Sequence, residues 1–250
     1  MALIEIDGIP AYRAEAVGEL RGALVLIHEI WGLVPHIQDV AGRYAAQGYL
    51  VIAPDLLSGI GITPEIGLEI VRLNSSANDQ ERSDAQPMMR EKMAPTKSPE
   101  YAAWAVATLT KVVDYLEAQH GVDGRIGIVG FCFGGTYAYA LAAADPRLRA
   151  AVPYYGQPPA SADLAAIQCP VLALYGGKDE RLITAFPEVN RAMLDAGVQF
   201  ASHIYPDAGH AFFNDTNLTR YDASAAADAW IRTLEFLRST LVPTPEYVRE

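Results

Sequence analysis

Gly130-Phe131-Cys132-Phe133-Gly134-Gly135 follows the apolar run RIGIV (125–129) and precedes an alanine-rich stretch. The spacing G-x-C-x-G-G between a strand and a helix reads as a sharp turn. Such a turn lifts the central side chain out at the carboxyl end of a sheet, and the glycines stand where a Cβ would clash. A thiol over the first turn of a helix is favoured as thiolate by the helix dipole and the free N–H groups. The N–H of Phe133 would face the place where a substrate oxyanion forms. A free cysteine is also an ordinary small core residue, so the chemistry depends on its partners. Asp179, in GGKDE (176–180), lies just past an apolar strand and can orient an imidazole, although an Asp there is also a common turn cap. His210, in AGHAF (208–212), follows another strand in a loop loosened by Gly209. Together they run in the order nucleophile, acid, histidine, each at the carboxyl end of a strand. Histidine would take the thiol proton and Asp would fix the imidazole tautomer. The chemistry expected of such a set is nucleophilic catalysis by an activated Cys132 thiol, sensitive to iodoacetamide.

Short buried runs alternating with longer helical patterns must hold these residues in place. Strands are expected in 22–32 (ending in a polar loop), 49–57, 125–131, 148–156, 169–177 and 200–206. Helices are expected at 36–47, 99–119, 136–146 and 223–240, with Gly48 as a stop signal after the first. Runs apolar on both faces, separated by helices, imply a mostly parallel sheet covered on both sides, an α/β fold. Residues 59–98 fit less well: they are rich in Asn, Asp, Gln, Ser, Pro and Met with a weak apolar period. They read as an irregular or partly helical, lid-like excursion at the top of the sheet.

The composition narrows the function. The chain has 250 residues, 51% of them hydrophobic, which excludes a disordered protein and fits a single α/β domain. Lys and Arg number 19 against 30 Asp and Glu, a net charge of −11. An acidic chain without a cationic cluster is a poor partner for nucleic acid or for an anionic membrane. The two cysteines, Cys132 and Cys169, give no disulfide framework, and the first residues carry Glu5 and Asp7 where a signal peptide needs basic then apolar residues. A cytoplasmic location is expected, with a small molecule as partner and the chain a monomer or homodimer. His36, His120 and His203 show no metal-ligand spacing and no nucleotide motif is present, so neither metal nor cofactor is implied.

HEIWGL (28–33), QGYLVIAPDLL (47–57), GIVGFCFGG (127–135), AVPYYG (151–156), GGKDE, AGHAF and YDASAAADAW (221–230) together resemble the dienelactone hydrolase (carboxymethylenebutenolidase) family. The resemblance spans nearly the whole chain. It implies the α/β-hydrolase fold, activity on esters or lactones, and a Cys132–His210–Asp179 triad. It also implies that Glu29 pairs with the Cys132 thiol at rest and accepts its proton when substrate arrives. The second oxyanion donor would be the N–H of Ile30, beside that of Phe133. Tyr154 matches a tyrosine that lines the family's site, and Trp31 is a further candidate for the pocket wall. The family holds a substrate carboxylate with two arginines. One position is Asn214 here, four residues after His210, and the other matches Arg82. Losing one charge-assisted bond weakens an anionic substrate by about 1.5–3 kcal/mol. A neutral aryl ester or a phosphotriester is therefore the alternative substrate. A non-catalytic thiol redox sensor is the rival of another class, and Asp179 and His210 speak against it.

Overall fold

In a computed structural model the described residues build eight strands in sequence order: β1 (Ala2–Ile6), β2 (Ile9–Ala14), β3 (Gly22–Ile27), β4 (Tyr49–Pro54), β5 (Ile126–Phe131), β6 (Ala150–Tyr154), β7 (Val171–Gly176) and β8 (Phe200–Tyr205). The helices are α1 (Pro35–Ala45), α2 (Pro64–Asn74), α3 (Asp79–Lys92), α4 (Pro99–Glu117), α5 (Phe133–Ala144), α6 (Ser161–Leu164), α7 (Glu180–Asp195) and α8 (Ala223–Leu241). The structure describes residues 1–74, 76, 78–158 and 161–241, with the side chains at 74, 82, 85, 161 and 162 left aside.

Every residue of β3, β4, β5, β6 and β7 is buried. Only strands covered on both faces can be so, and the continuous Val, Ile, Leu and Ala runs follow from it. The sheet order is β1-β2-β4-β3-β5-β6-β7-β8. From β4 to β8 all neighbours are parallel, while β1–β2 and β2–β4 are antiparallel. The chain goes outward from β3 to β4, then returns to place β5 on the other side of β3, with Ile27 opposite Gly130. That reversal opens a crevice at the carboxyl ends of β3 and β5, where open α/β sheets bind ligands. The loops carrying Glu29 and Cys132 leave from those two ends. Tyr44 of α1 packs on Trp230 of α8 with ring centroids 4.5 Å apart, and Tyr101 of α4 packs edge-on to Tyr137 of α5 at 6.4 Å.

Three regions depart from the sequence reading, and one of them is α7 (Glu180–Asp195), a helix that the reading did not expect. The stretch 59–98 is more helical than expected, because α2 and α3 occupy most of it. The described side chains of α3 are exposed or half-buried, so the helix needs no apolar period. Its ends are set by charge and capping: Asn78 accepts the Gln80 N–H at 2.9 Å, Asp79 and Glu81 open the helix, and Arg90 and Lys92 close it. Helix α2 docks through Gly67, where a Cβ would overlap the carbonyl of Trp31. The β1–β2 hairpin was not anticipated either. Asp7 and Gly8 both take positive φ, 49° and 81°, as a two-residue type I′ turn demands.

Candidate active site

Cys132 sits between β5 and α5 at φ 55° and ψ −111°, a conformation that side chains rarely adopt. Close packing forces it. A Cβ at Gly130 would overlap the Gly134 carbonyl, and one at Gly134 would overlap the carbonyls of Ile27 and His28. The turn is pinned by the Cys132 N–H donating to Tyr154 O at 3.0 Å and the Thr136 N–H donating to Cys132 O at 3.1 Å. Phe133 is the first helical residue, so its N–H has no acceptor within the helix. Among the described non-glycine residues, five have positive φ, and three of them, Cys132, Tyr155 and Ala211, crowd this one place. Backbone strain collected there fits a site whose geometry the surrounding fold over-determines.

Asp179 leaves the end of β7 and His210 the loop after β8. The two loops are held together by the Lys178 N–H donating to Ala208 O at 2.9 Å. The Cys132 Sγ lies 3.0 Å from His210 Nε2, and His210 Nδ1 lies 2.5 Å from Asp179 Oδ2. Burial disfavours a charged His210, but the hydrogen bonds to Asp179 and Cys132 outweigh it and push the imidazole up to about 10. Burial likewise works against the Asp179 carboxylate, and the bond to His210 prevails, holding that carboxyl below its ordinary value. The three residues thus come together with the imidazole between thiol and carboxylate.

Glu29 is buried at the same crevice. Its carboxylate accepts from Tyr155 Oη at 3.2 Å, Trp31 Nε1 at 3.1 Å and Asn214 Nδ2 at 2.5 Å. The expected pairing of Glu29 with the thiol is therefore not the arrangement seen: three donors hold the carboxylate, and the thiol is bonded to His210. Asn214 does not face substrate space. It is buried, and its Oδ1 accepts from the Thr216 N–H at 3.1 Å and hydroxyl at 2.7 Å while its amide grips Glu29. Tyr154 does not line the crevice either. It is fully buried against Phe131, with its hydroxyl 2.6 Å from Thr233 Oγ1 and donating to Ala229 O at 3.2 Å. The neighbouring Tyr155 is buried as well and is not among the residues lining the cavity, but it packs behind the site, its ring 5.1 Å from that of His210. Burial raises the Tyr155 hydroxyl well above its usual range, so it stays a donor to Glu29.

The crevice is a cavity of about 720 Å³ lined by Glu29, Ile30, Trp31, Cys132, Asp179, Arg181, His210 and Arg220, with Asp79, Ser83, Gln86 and Met89 from α3 and Ala211, Asn217 and Thr219 from the loop after His210. Helix α3 therefore does form part of its wall. Arg82 lies on that helix, but its side chain falls outside the described residues. Arg181 and Arg220 were not singled out from the sequence; single arginines in loops and at helix starts carry no spacing signal.

A model of the dienelactone hydrolase family matches residues 9–241. The chain belongs to the dienelactone hydrolase family. It is 33% identical to a Yersinia pestis protein named "Putative carboxymethylenebutenolidase", over 96% of this chain and 88% of that one. A protein of the same name from Saccharolobus solfataricus is 31% identical over 86% of this chain and 88% of its own. The crystal structure of a dienelactone hydrolase, so described provisionally, from Klebsiella pneumoniae superposes with a TM-score of 0.77 at 29% identity, covering 94% of this chain and 97% of that one. This family member is thus a hydrolase of the lactone and ester class with the α/β-hydrolase fold. No helix among its described residues is long and apolar enough to cross a membrane.

Proposed function

We propose that this dienelactone hydrolase family member cleaves an ester or lactone by acyl transfer to Cys132. The observation that carries the reading is the Cys132–His210–Asp179 relay, at 3.0 Å and 2.5 Å, on the floor of an open cavity. With its imidazole pushed up to about 10, His210 is a strong enough base to take the thiol proton as the sulfur attacks and to hold it until the leaving group needs it. The sulfur attacks the carbonyl carbon, and the oxyanion is received by the N–H groups of Ile30 and Phe133. His210 gives its proton to the leaving alkoxide as the C–O bond breaks. Water then loses a proton to His210 and attacks the thiol ester, which releases the acid and the thiol. Asp179 keeps the ring oriented through both steps. Glu29 is engaged by its three donors, Tyr155, Trp31 and Asn214, and does not act as the first acceptor of the thiol proton.

Arg181 and Arg220 put positive charge on the cavity wall, which favours a substrate bearing a carboxylate. A second reading, a neutral aryl ester or phosphotriester, is favoured by Asn214, which supplies no charge and is turned to Glu29. Steady-state hydrolysis of a carboxylated dienelactone and a p-nitrophenyl ester separates them. Activity on either is expected to vanish in Cys132→Ala, and activity retained in that variant would sink the mechanism. The ratio of the two kcat/KM values decides the substrate: preference for the dienelactone supports the charged cavity, preference for the neutral ester the second reading.

A further inference from the structure

The acyl-transfer reading requires the Ile30 N–H to face Cys132, and something must hold that peptide against thermal reorientation. His28 is fully buried, and both its ring nitrogens are engaged. Nε2 lies 3.1 Å from the Leu56 backbone nitrogen, and Nδ1 lies 2.7 Å from Glu29 O. A backbone N–H can only donate, so Nε2 is the acceptor and the ring proton is on Nδ1, donated to the Glu29 carbonyl. Burial lowers the basicity of the ring, in keeping with a single proton. The Glu29 carbonyl also receives the Gly32 N–H at 3.2 Å.

That carbonyl belongs to the peptide that ends in the Ile30 N–H. The described peptide bonds are all trans, and in a trans peptide C=O and N–H point to opposite sides. Drawing the oxygen inward onto His28 turns the Ile30 N–H outward, to the cavity that Ile30 lines. The same imidazole stacks on the ring of Phe133, 5.8 Å between centroids and 3° between planes. Phe133 supplies the other oxyanion N–H. One buried ring therefore touches both donor segments, and it is anchored from behind by the loop after β4 through Leu56.

We propose that His28 is the positioning residue of the oxyanion hole, its Nδ1–H setting the Glu29–Ile30 peptide and its ring face setting Phe133. This rests on the acyl-transfer reading, and the test separates the two. His28→Asn keeps a short amide donor for Glu29 O. His28→Gln reaches the Leu56 N–H as acceptor but loses the donor to Glu29. The Gln variant is expected to lose ~10²-fold in kcat, the usual effect of one missing oxyanion donor, with KM changed less than about threefold. The Asn variant recovers most of that loss. Alkylation of Cys132 by iodoacetamide displaces iodide at a saturated carbon and builds no oxyanion, so its rate stays within about twofold of wild type in both. A Gln variant with full kcat overturns the proposal. So does a parallel fall of kcat, alkylation rate and Tm, which marks a purely structural histidine. If neither variant folds, the wild type decides: ¹⁵N-histidine spectra must show His28 protonated on Nδ1 alone across neutral pH, and a proton on Nε2 overturns the proposal. Activity surviving in Cys132→Ala defeats the acyl-transfer reading instead.

Discussion

At the scale of single residues, the decisive feature is an imidazole whose charge is set by its two neighbours. Asp179→Asn removes the partner whose hydrogen bond raises it most. His210 should then fall from about 10 towards its ordinary value, and kcat/KM at neutral pH should drop by ~10²–10⁴, as when a triad loses its acid. The alkaline limb of the pH profile should move to lower pH with it, and an unmoved limb would assign that limb to another group. Stability carries the same signature. A histidine raised on folding stabilises fully below its unfolded value of about 6.5 and ceases to as pH rises through the folded value. The gap in Tm between wild type and Asp179→Asn should therefore be wide at pH 6 and narrow above pH 10. Asn214 offers a second test. Asn214→Asp keeps the shape but replaces a donor at 2.5 Å by a carboxylate facing Glu29. The variant should be destabilised by about 3–5 kcal/mol at pH 8, the cost of an uncompensated buried charge, and should recover as pH falls through the carboxylate range. Thermal melts at pH 5 and pH 8 read this directly, and equal melts would mean that Asn214 does not bond Glu29.

At the scale of elements, the strand–turn–helix at Cys132 depends on backbones in contact. Gly134→Ala would drive a Cβ into the carbonyls of Ile27 and His28, so α5 must back away from the end of β3. Loss of activity and of several kcal/mol, or failure to fold, is expected. Gly197→Ala is the contrast. Its φ is 71° with no atom near the added Cβ, so it should cost only about 1 kcal/mol of αL strain and leave kcat unchanged. These elements were the most legible part of the sequence. Unbroken apolar runs marked β3, β4, β5, β6 and β7, and the expected runs overshoot the observed strands by a few residues at their ends, where the chain turns into loops. The Asp7-Gly8 turn between Ile-Glu-Ile and Ile-Pro-Ala-Tyr was an available hairpin signal that the alternation, read only for a leader peptide, did not yield. Helix α3 was hidden for a physical reason: an exposed helix is fixed by its caps and end charges, and packing leaves no period in it. Helix α2, by contrast, buries Gly67 and Ile70, a period that was there to be read. The cysteine, aspartate and histidine could be read because each lies at a strand end. The orientation of Asn214 could not, because it depends on which way a buried side chain turns in the loop after His210.

At the scale of the whole molecule, charge acts before chemistry does. The chain carries a net charge of −11, yet Arg181 and Arg220 stand on the cavity wall beside Asp79, Glu29 and Asp179. An anionic substrate approaching from far away is repelled by the whole body and attracted only within the last few ångströms. The Debye length shrinks from about 30 Å at 10 mM salt to about 8 Å at 150 mM. Added salt therefore screens the distant repulsion more than the short-range attraction. The kcat/KM for a carboxylated ester should rise a few-fold between about 10 and 150 mM salt, while that for a neutral ester of the same leaving group stays flat. In Arg181→Ala with Arg220→Ala the local attraction is gone, so the anionic substrate should react more slowly at every salt concentration and its rise with salt should be steeper. A fall with salt in the wild type would mean that the cavity's arginines govern the approach from long range. An unchanged slope in the double variant would mean that they do not meet the substrate at all.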